Sequence, residues 1–227
     1  MLDERLTLAA QLYQPCTLGA DIGTDHGYLP CELLKSGVCE RMILADVSPL
    51  AIRRAQAQVE KEHLQDRAQI VCADGLSAIT SPCGCVSIMG MGGETMAGIL
   101  MRGQDKLSGA VLVLSAHTEL HLVRQAIMDI GYHITKEELC RSGGRFYVFW
   151  RAEAGAEALT DEEIRHGKLL TQSQSPLLKE YFAWRKRVLE NKLTGLKCAA
   201  VPDEAALAQT TQEAAYYAER LKEESPC

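Results

Sequence analysis

The chain has 227 residues, 47% of them hydrophobic and 24% charged, a composition that excludes a disordered or fibrous protein and suits one α/β domain with an appendage. No apolar run approaches the ~18 residues that would mark a membrane span. A formal net charge of −6 gives no overall basic footprint for nucleic acid, which leaves phosphate contact to local patches.

Met1 to Arg5 shows neither the basic nor the apolar region of a signal peptide, so the cytoplasm is the expected compartment. Nine cysteines without a regular framework then read as reduced thiols. Leu6, Ala9, Leu12 and Tyr13 recur at helical spacing and predict a helix over 3–13 that covers the sheet edge. Short apolar strands follow at 18–21, 42–46, 69–72, 86–89 and 110–114, with helices expected over 29–36, from the Ser48 cap to about 62, from the glycines after 89 to about 101, and over 119–130. Continuous apolar strands of this kind belong to a parallel sheet covered on both faces. Cys83-Gly84-Cys85 has no second pair at zinc-ligand spacing, so no metal site is expected.

Tyr132–Leu139 and Arg145–Arg151, joined by Cys140-Arg141-Ser142-Gly143-Gly144, predict an antiparallel hairpin at the end of the sheet. The expected fold is therefore α/β and Rossmann-like, with the sheet plan of the class I methyltransferases by analogy. Glu153–Ala158 reads as a linker, which gives domains at 1–155 and 156–227. In the second, Thr160-Asp161-Glu162-Glu163 is a capping box, Ser175-Pro176 starts a helix, and Pro202-Asp203 starts another. Leu177, Tyr181, Trp184, Val188, Leu189, Leu193 and Leu196 form one apolar stripe, so the two long helices should pack as an antiparallel, coiled-coil-like hairpin. Lys179, Arg185, Lys186, Arg187, Lys192 and Lys197 face only Glu180 and Glu190, either as a solvated surface or as phosphate contacts.

The chemistry gathers at the strand ends, where open α/β sheets bind ligands. The loop Thr17 to Pro30 superficially resembles a dinucleotide fingerprint, but Asp21 and Asp25 would repel a diphosphate. Two carboxylates suit an ammonium and a sulfonium, which points to S-adenosyl-L-methionine rather than NAD. Asp21 and Gly23 would hold its methionine end. Asp46, with Val47 beside it, would accept from the ribose hydroxyls, and Asp74-Gly75 from the adenine amine, with Gly90 ending the fourth strand at the same crevice.

Asp21-Ile22-Gly23-Thr24-Asp25-His26-Gly27-Tyr28-Leu29-Pro30, with Asp74-Gly75-Leu76 and Met89-Gly90-Met91-Gly92-Gly93, resembles the bacterial tRNA N1-methyladenosine methyltransferases that modify adenosine 22. The terminal helices are similar to that family's C-terminal coiled coil, so the resemblance covers nearly the whole chain. It implies methyl transfer from S-adenosyl-L-methionine to N1 of an adenine in tRNA, with the helical hairpin helping to hold the RNA; a monomer without a metal is expected. N1 carries a lone pair, so alignment supplies much of the catalysis, and a carboxylate can stabilise the cationic product or take a proton from its amino group. Asp25 matches the family's functional aspartate; a helix cap is its structural alternative. His26 either orients a neighbour or packs. A paired adenine must be turned out to react; Tyr28 and Met91 are placed to flank it or to pack in the core, and Gly92 and Gly93 would leave it room and offer backbone N–H groups. One segment departs from the family: Ser115-Ala116-His117 stands where a Gln-Pro-Asn turn is expected. His117 then replaces an amide as hydrogen-bond donor, or a different RNA is read. The competing expectations are methylation of another RNA base or a small molecule, and a non-catalytic adenosyl- or RNA-binding module.

Overall fold

The computed structural model describes residues 2–198 and 203–223 and divides into two compact units between Gln172 and Ser173. The first opens with α1 (Glu4–Leu12), whose N-cap Asp3 accepts from Leu6 N at 2.9 Å. Strands β1 (Cys16–Ile22), β2 (Cys39–Asp46), β3 (Ala68–Cys72), β4 (Cys85–Met91) and β5 (Val111–Ala116) alternate with α2 (Tyr28–Lys35), α3 (Pro49–Lys61), α4 (Gly93–Gly103) and α5 (Leu120–Asp129). They are followed by β6 (Tyr132–Ser142) and β7 (Arg145–Ala154). The sheet order is β3-β2-β1-β4-β5-β7-β6, with β1 to β5 parallel and β7 antiparallel to both its neighbours. Helices on both faces explain why Met42, Ile43, Leu44 and Ala45 of β2, and every residue of β5, are buried. The strand order reverses between β1 and β4, so their carboxyl ends flank the crevice where such sheets take ligands.

The hairpin is longer than its sequence suggests. Cys140, Arg141 and Ser142 pair with Tyr147, Phe146 and Arg145, leaving Gly143-Gly144 as a two-residue turn with φ of 56° and 77°. Positive φ at both central residues matches the right-handed twist of the strands and is natural for glycine.

The expected boundary at 155 also moves. The Thr160 capping box opens α6 (Asp161–His166), and α7 (Lys168–Thr171) follows; both belong to the first unit. A buried cluster holds them. Glu137 Oε1 accepts from Arg124 Nε and from Trp150 Nε1, each at 2.7 Å, and Glu137 Oε2 accepts from Leu170 N at 2.9 Å. Arg124 Nη1 reaches the Ile164 carbonyl at 3.0 Å. The segment therefore satisfies buried polar groups of α5 and β6, which are costly to leave unpaired.

The second unit holds α8 (Leu178–Lys197) and α9 (Glu204–Glu223). Phe182 meets Tyr217 at 5.6 Å between ring centroids, and Arg185 lies 3.9 Å from Glu213, so the pairing runs backward along one helix as it runs forward along the other: an antiparallel hairpin. Its buried face is Leu178, Tyr181, Phe182 and Leu189, whereas Val188 of the expected stripe is exposed. Helix α8 begins later than Ser175-Pro176 suggested, at Leu178, and Asp203 Oδ1 accepts from Ala206 N at 2.9 Å near the start of α9; Pro202 lies outside the described residues.

Candidate active site

A cavity of about 550 Å³ opens at the carboxyl ends of β1, β4 and β5. Of the residues singled out from the sequence, Asp21, Gly23, Asp25, Tyr28, Gly90 and His117 line it, together with Thr24, His26 and Ser115. Asp46, Val47, Asp74, Gly75, Met91, Gly92 and Gly93 lie outside its wall.

Asp21 lies one residue before the end of β1 and is 4% exposed. Its Oδ1 accepts from Ser87 Oγ at 2.5 Å. Burial raises its pKa, against the hydroxyls of Ser87, bonded to it, and Thr24, close by, and Asp46 acts in the same direction as burial. A buried carboxylate without a cation is a costly arrangement that a positively charged ligand group would relieve. Thr24 Oγ1, also buried, has no partner at bonding geometry. A hydroxyl without a bonded partner beside a carboxylate without a counter-charge fits the polar end of a cationic ligand.

Asp25 stands at the cavity mouth with φ of 43°, a region that few side-chain-bearing residues adopt. Arg54 Nη1 of α3 donates to its Oδ1 at 2.7 Å, and His26 Nε2 lies 3.4 Å from its Oδ2. The N-cap of α2 is Gly27, with no side-chain bond, so Asp25 is not the helix cap. Tyr28 is 48% exposed, with its ring stacked on His26 at 5.4 Å and 13°. That exposure removes core packing as its role and leaves a flat aromatic platform at the mouth.

His117 faces Tyr147 edge-on at 6.0 Å, and the Arg5 guanidinium lies 5.0 Å from the centre of the Tyr147 ring. Burial lowers the His117 pKa, helped by the positive charges of Arg5 and Arg145, so a neutral imidazole with one donor and one acceptor is presented. Leu2, Asp3, Arg5 and Leu6 of the N-terminal segment, and Tyr147 and Phe149 of β7, complete this wall. Helical spacing alone assigns the first helix a covering role and assigns the hairpin none. Tyr147 and Phe149 alternate along a strand, which places them on one face; that signal was present.

The residues expected from the sequence to meet the adenosine sit toward β3. Asp46 Oδ1 accepts from Ser48 N at 2.8 Å, and Val47 is 62% exposed. The Asp74 carboxylate is exposed and 3.7 Å from Arg102, while Gly75 has φ of 53°. In the β4 turn the ladder slips between Met89 and Met91, a bulge that carries Gly90 at φ of 78°. Gly93 is a packing glycine: a Cβ there would strike the backbone of Thr118 and Glu119, and its N–H is committed to the Thr118 carbonyl at 3.0 Å. It offers no free N–H to a substrate. Among the described residues, no group of three or more His, Cys, Asp or Glu is placed to hold a metal ion, and no helix is long and apolar enough to cross a membrane.

The family model described as a methyltransferase domain matches residues 2–150. The chain belongs to the methyltransferase domain family. Within that family it is similar to the tRNA (adenine(22)-N(1))-methyltransferase of Bacillus subtilis, at 31% identity over 156 residues, which span 68% of this chain and 66% of that one. Among solved structures it resembles Streptococcus pneumoniae Sp1610, a candidate tRNA (m1A22) methyltransferase, in complex with S-adenosyl-L-methionine, at 28% identity, TM-score 0.85, and coverage of 97% of this chain and 100% of that chain. TrmK of M. capricolum, in complex with the natural cofactor product S-adenosyl-homocysteine, shares the fold at 22% identity and TM-score 0.83, over 98% of each chain.

Proposed function

We propose that this methyltransferase transfers a methyl group from S-adenosyl-L-methionine to N1 of an adenosine in tRNA, at position 22. The observation that carries the donor assignment is Asp21, a carboxylate 4% exposed, facing a cavity of about 550 Å³ at the point where strand order reverses. When bound, the donor supplies an electrophilic methyl on a sulfonium centre. Asp21 and Thr24 would hold its amino-acid end, with Gly23 and Gly90 shaping the turns beside it. Asp46 and Val47 would take the ribose, and Asp74-Gly75 the adenine amine, along the edge toward β3. The Bacillus subtilis and Streptococcus pneumoniae relatives support the acceptor and the donor.

Asp25 would act on the acceptor. Held by Arg54 on one oxygen and facing His26 with the other, it presents a fixed carboxylate where the N1-methylated purine gains positive charge. Preorganised charge of this kind needs no rearrangement during reaction. Tyr28 offers a face on which an adenine turned out of its helix can stack. His117 would donate a hydrogen bond to that base from the opposite wall, with Met91 and Gly92 shaping the approach. In the second unit, Arg187, Lys192 and Lys197 are exposed cations suited to phosphate contact. The proposal places the enzyme as a monomer in the cytoplasm, where the free thiols of the described cysteines stay reduced.

The test is incubation of undermodified tRNA with the protein and isotopically labelled donor, followed by mapping of the label by mass spectrometry. Label at N1 of adenosine 22 is the expected result. Label on another base, or on a small molecule alone, overturns the acceptor; no transfer to any acceptor overturns the enzyme.

A further inference from the structure

Tyr13, between α1 and β1, is 7% exposed and lies outside the cavity wall, yet its hydroxyl is 2.5 Å from Ser87 Oγ and 3.2 Å from the Ala20 carbonyl. Ser87, fully buried on β4, is 2.5 Å from Asp21 Oδ1 and 3.4 Å from the same Ala20 carbonyl. The serine has one proton and, besides the Tyr13 oxygen, two acceptors within reach. Donation from Tyr13 fills a lone pair on Ser87 Oγ and strengthens Ser87 as a donor, because hydrogen bonds in a chain polarise one another. The shorter contact takes the proton to Asp21. We infer that Tyr13 is a positioning residue that, acting through Ser87, holds the Asp21 carboxylate in readiness for a cationic ligand group. The inference rests on the reading of Asp21 as the contact for the amino-acid end of the donor.

The same hydroxyls serve both protonation states of the acid. With Asp21 ionised, Tyr13 donates to Ser87 and Ser87 to Asp21. With Asp21 protonated, the chain can reverse: Asp21 donates to Ser87, Ser87 to Tyr13, and Tyr13 to the Ala20 carbonyl. No hydroxyl proton is stranded in either arrangement, which matters where an unpaired buried polar group is costly. Burial pushes the Tyr13 phenol well above its ordinary pKa, so it remains a donor. Asp46 at the end of β2 acts on Asp21, and the acidic, basic and imidazole side chains lining the same cavity are Asp3 and Arg5 at the start of α1, Asp25 and His26 from the loop after β1, Glu32 and Lys35 of α2, Lys61 and Glu62 at the end of α3, and His117 after β5. Asp46 favours the protonated acid, and the hydroxyls of Ser87 and Thr24 oppose it.

Calorimetric binding of three ligands as a function of pH tests the inference. S-adenosyl-L-methionine and S-adenosyl-L-homocysteine carry the amino-acid group; 5′-methylthioadenosine keeps the nucleoside and lacks that group. Tyr13→Phe should weaken the first two about tenfold, the usual scale for a hydrogen bond serving a charged group, and leave methylthioadenosine unchanged. The rise of S-adenosyl-L-methionine affinity with pH should also move to higher pH. Ser87→Ala, which removes one buried oxygen, should give the same selective loss and stands in if the phenylalanine variant does not fold. Undiminished affinity in the variants, or equal loss for all three ligands, overturns the positioning role. A wild-type protein that binds neither amino-acid-bearing ligand overturns the cofactor reading itself.

Discussion

Arg54 Nη1 of α3 donates to Asp25 Oδ1 at 2.7 Å, joining the cavity mouth to the helix that follows the second strand. The guanidinium fixes the direction of a carboxylate on a loop and leaves its other oxygen toward His26. Asp25→Asn keeps the size of the side chain but loses the charge. Methyl transfer at saturating donor should fall by about 10²–10³, the range for loss of one preorganised electrostatic group, while donor affinity is retained. Arg54→Ala should produce a smaller fall in the same parameter. Loss of donor binding in Asp25→Asn would assign this residue to the cofactor instead.

Asp21 gives a prediction in pH. Its folded-state pKa is raised by burial, so the folded protein keeps a proton that the unfolded chain has released. Stability without ligand therefore declines as pH rises from the ordinary aspartate value of 3.8 through the raised one, and the cost is complete above it. Asp21→Asn should be more stable than wild type at neutral pH, with the difference shrinking on acidification. The same variant should lose donor affinity by on the order of 100-fold, because a buried charged contact is left neutral. Thermal melts across pH, paired with calorimetry, check both.

The Glu137 cluster predicts a stability effect remote from the cavity. Glu137→Gln leaves the Arg124 guanidinium buried without its counter-charge, and breaking a buried pair from one side costs about 3–5 kcal/mol. Chemical denaturation should show that loss. Arg124→Met combined with Glu137→Leu should recover only part of it, since Trp150 Nε1 and Leu170 N still lose their acceptor.

The basic run on α8 separates into two roles. Arg185 is turned inward, its guanidinium 5.6 Å from the centre of the Tyr217 ring and 3.9 Å from Glu213, and Lys186 lies 2.8 Å from Glu190. Arg187, Lys192 and Lys197 recur every five residues, about 140° apart around the helix, so they do not form one stripe. Substituting each by alanine should weaken tRNA binding and lower the salt slope by about one for each phosphate no longer neutralised. Arg185→Ala should instead loosen the helical hairpin and leave the slope unchanged. Filter binding across salt concentrations distinguishes them.

The sheet was legible because its signals are local: five apolar strands, four of them running into a glycine or an acid, announce a parallel α/β layer without reference to any partner. That Asp21, Asp25 and Tyr28 gather at one cavity was legible for the same reason, since one stretch of chain carries them. What could not be read depends on contacts distant in sequence. Leu2 to Leu6 reach the cavity only once α1 packs beside the hairpin. The inward turn of Arg185 is set by Glu213 and Tyr217 on another helix. Gly93 looked like an open turn for a substrate and is instead where α4 meets the backbone of Thr118 and Glu119. The domain boundary was misplaced because Glu153–Ala158 has the composition of a linker, while the residues after it carry the partners of Arg124 and Glu137.

That last arrangement bears on how the protein can be dissected. A truncated chain ending at Ala154, where the sheet itself stops, would strip Leu170 N from Glu137 and the Ile164 carbonyl from Arg124, opening a buried charge cluster to water at the sheet's outer strand. A fragment meant to carry the methyl-donor site alone should run through Gln172, and the same limit applies to exchanging the helical hairpin between relatives.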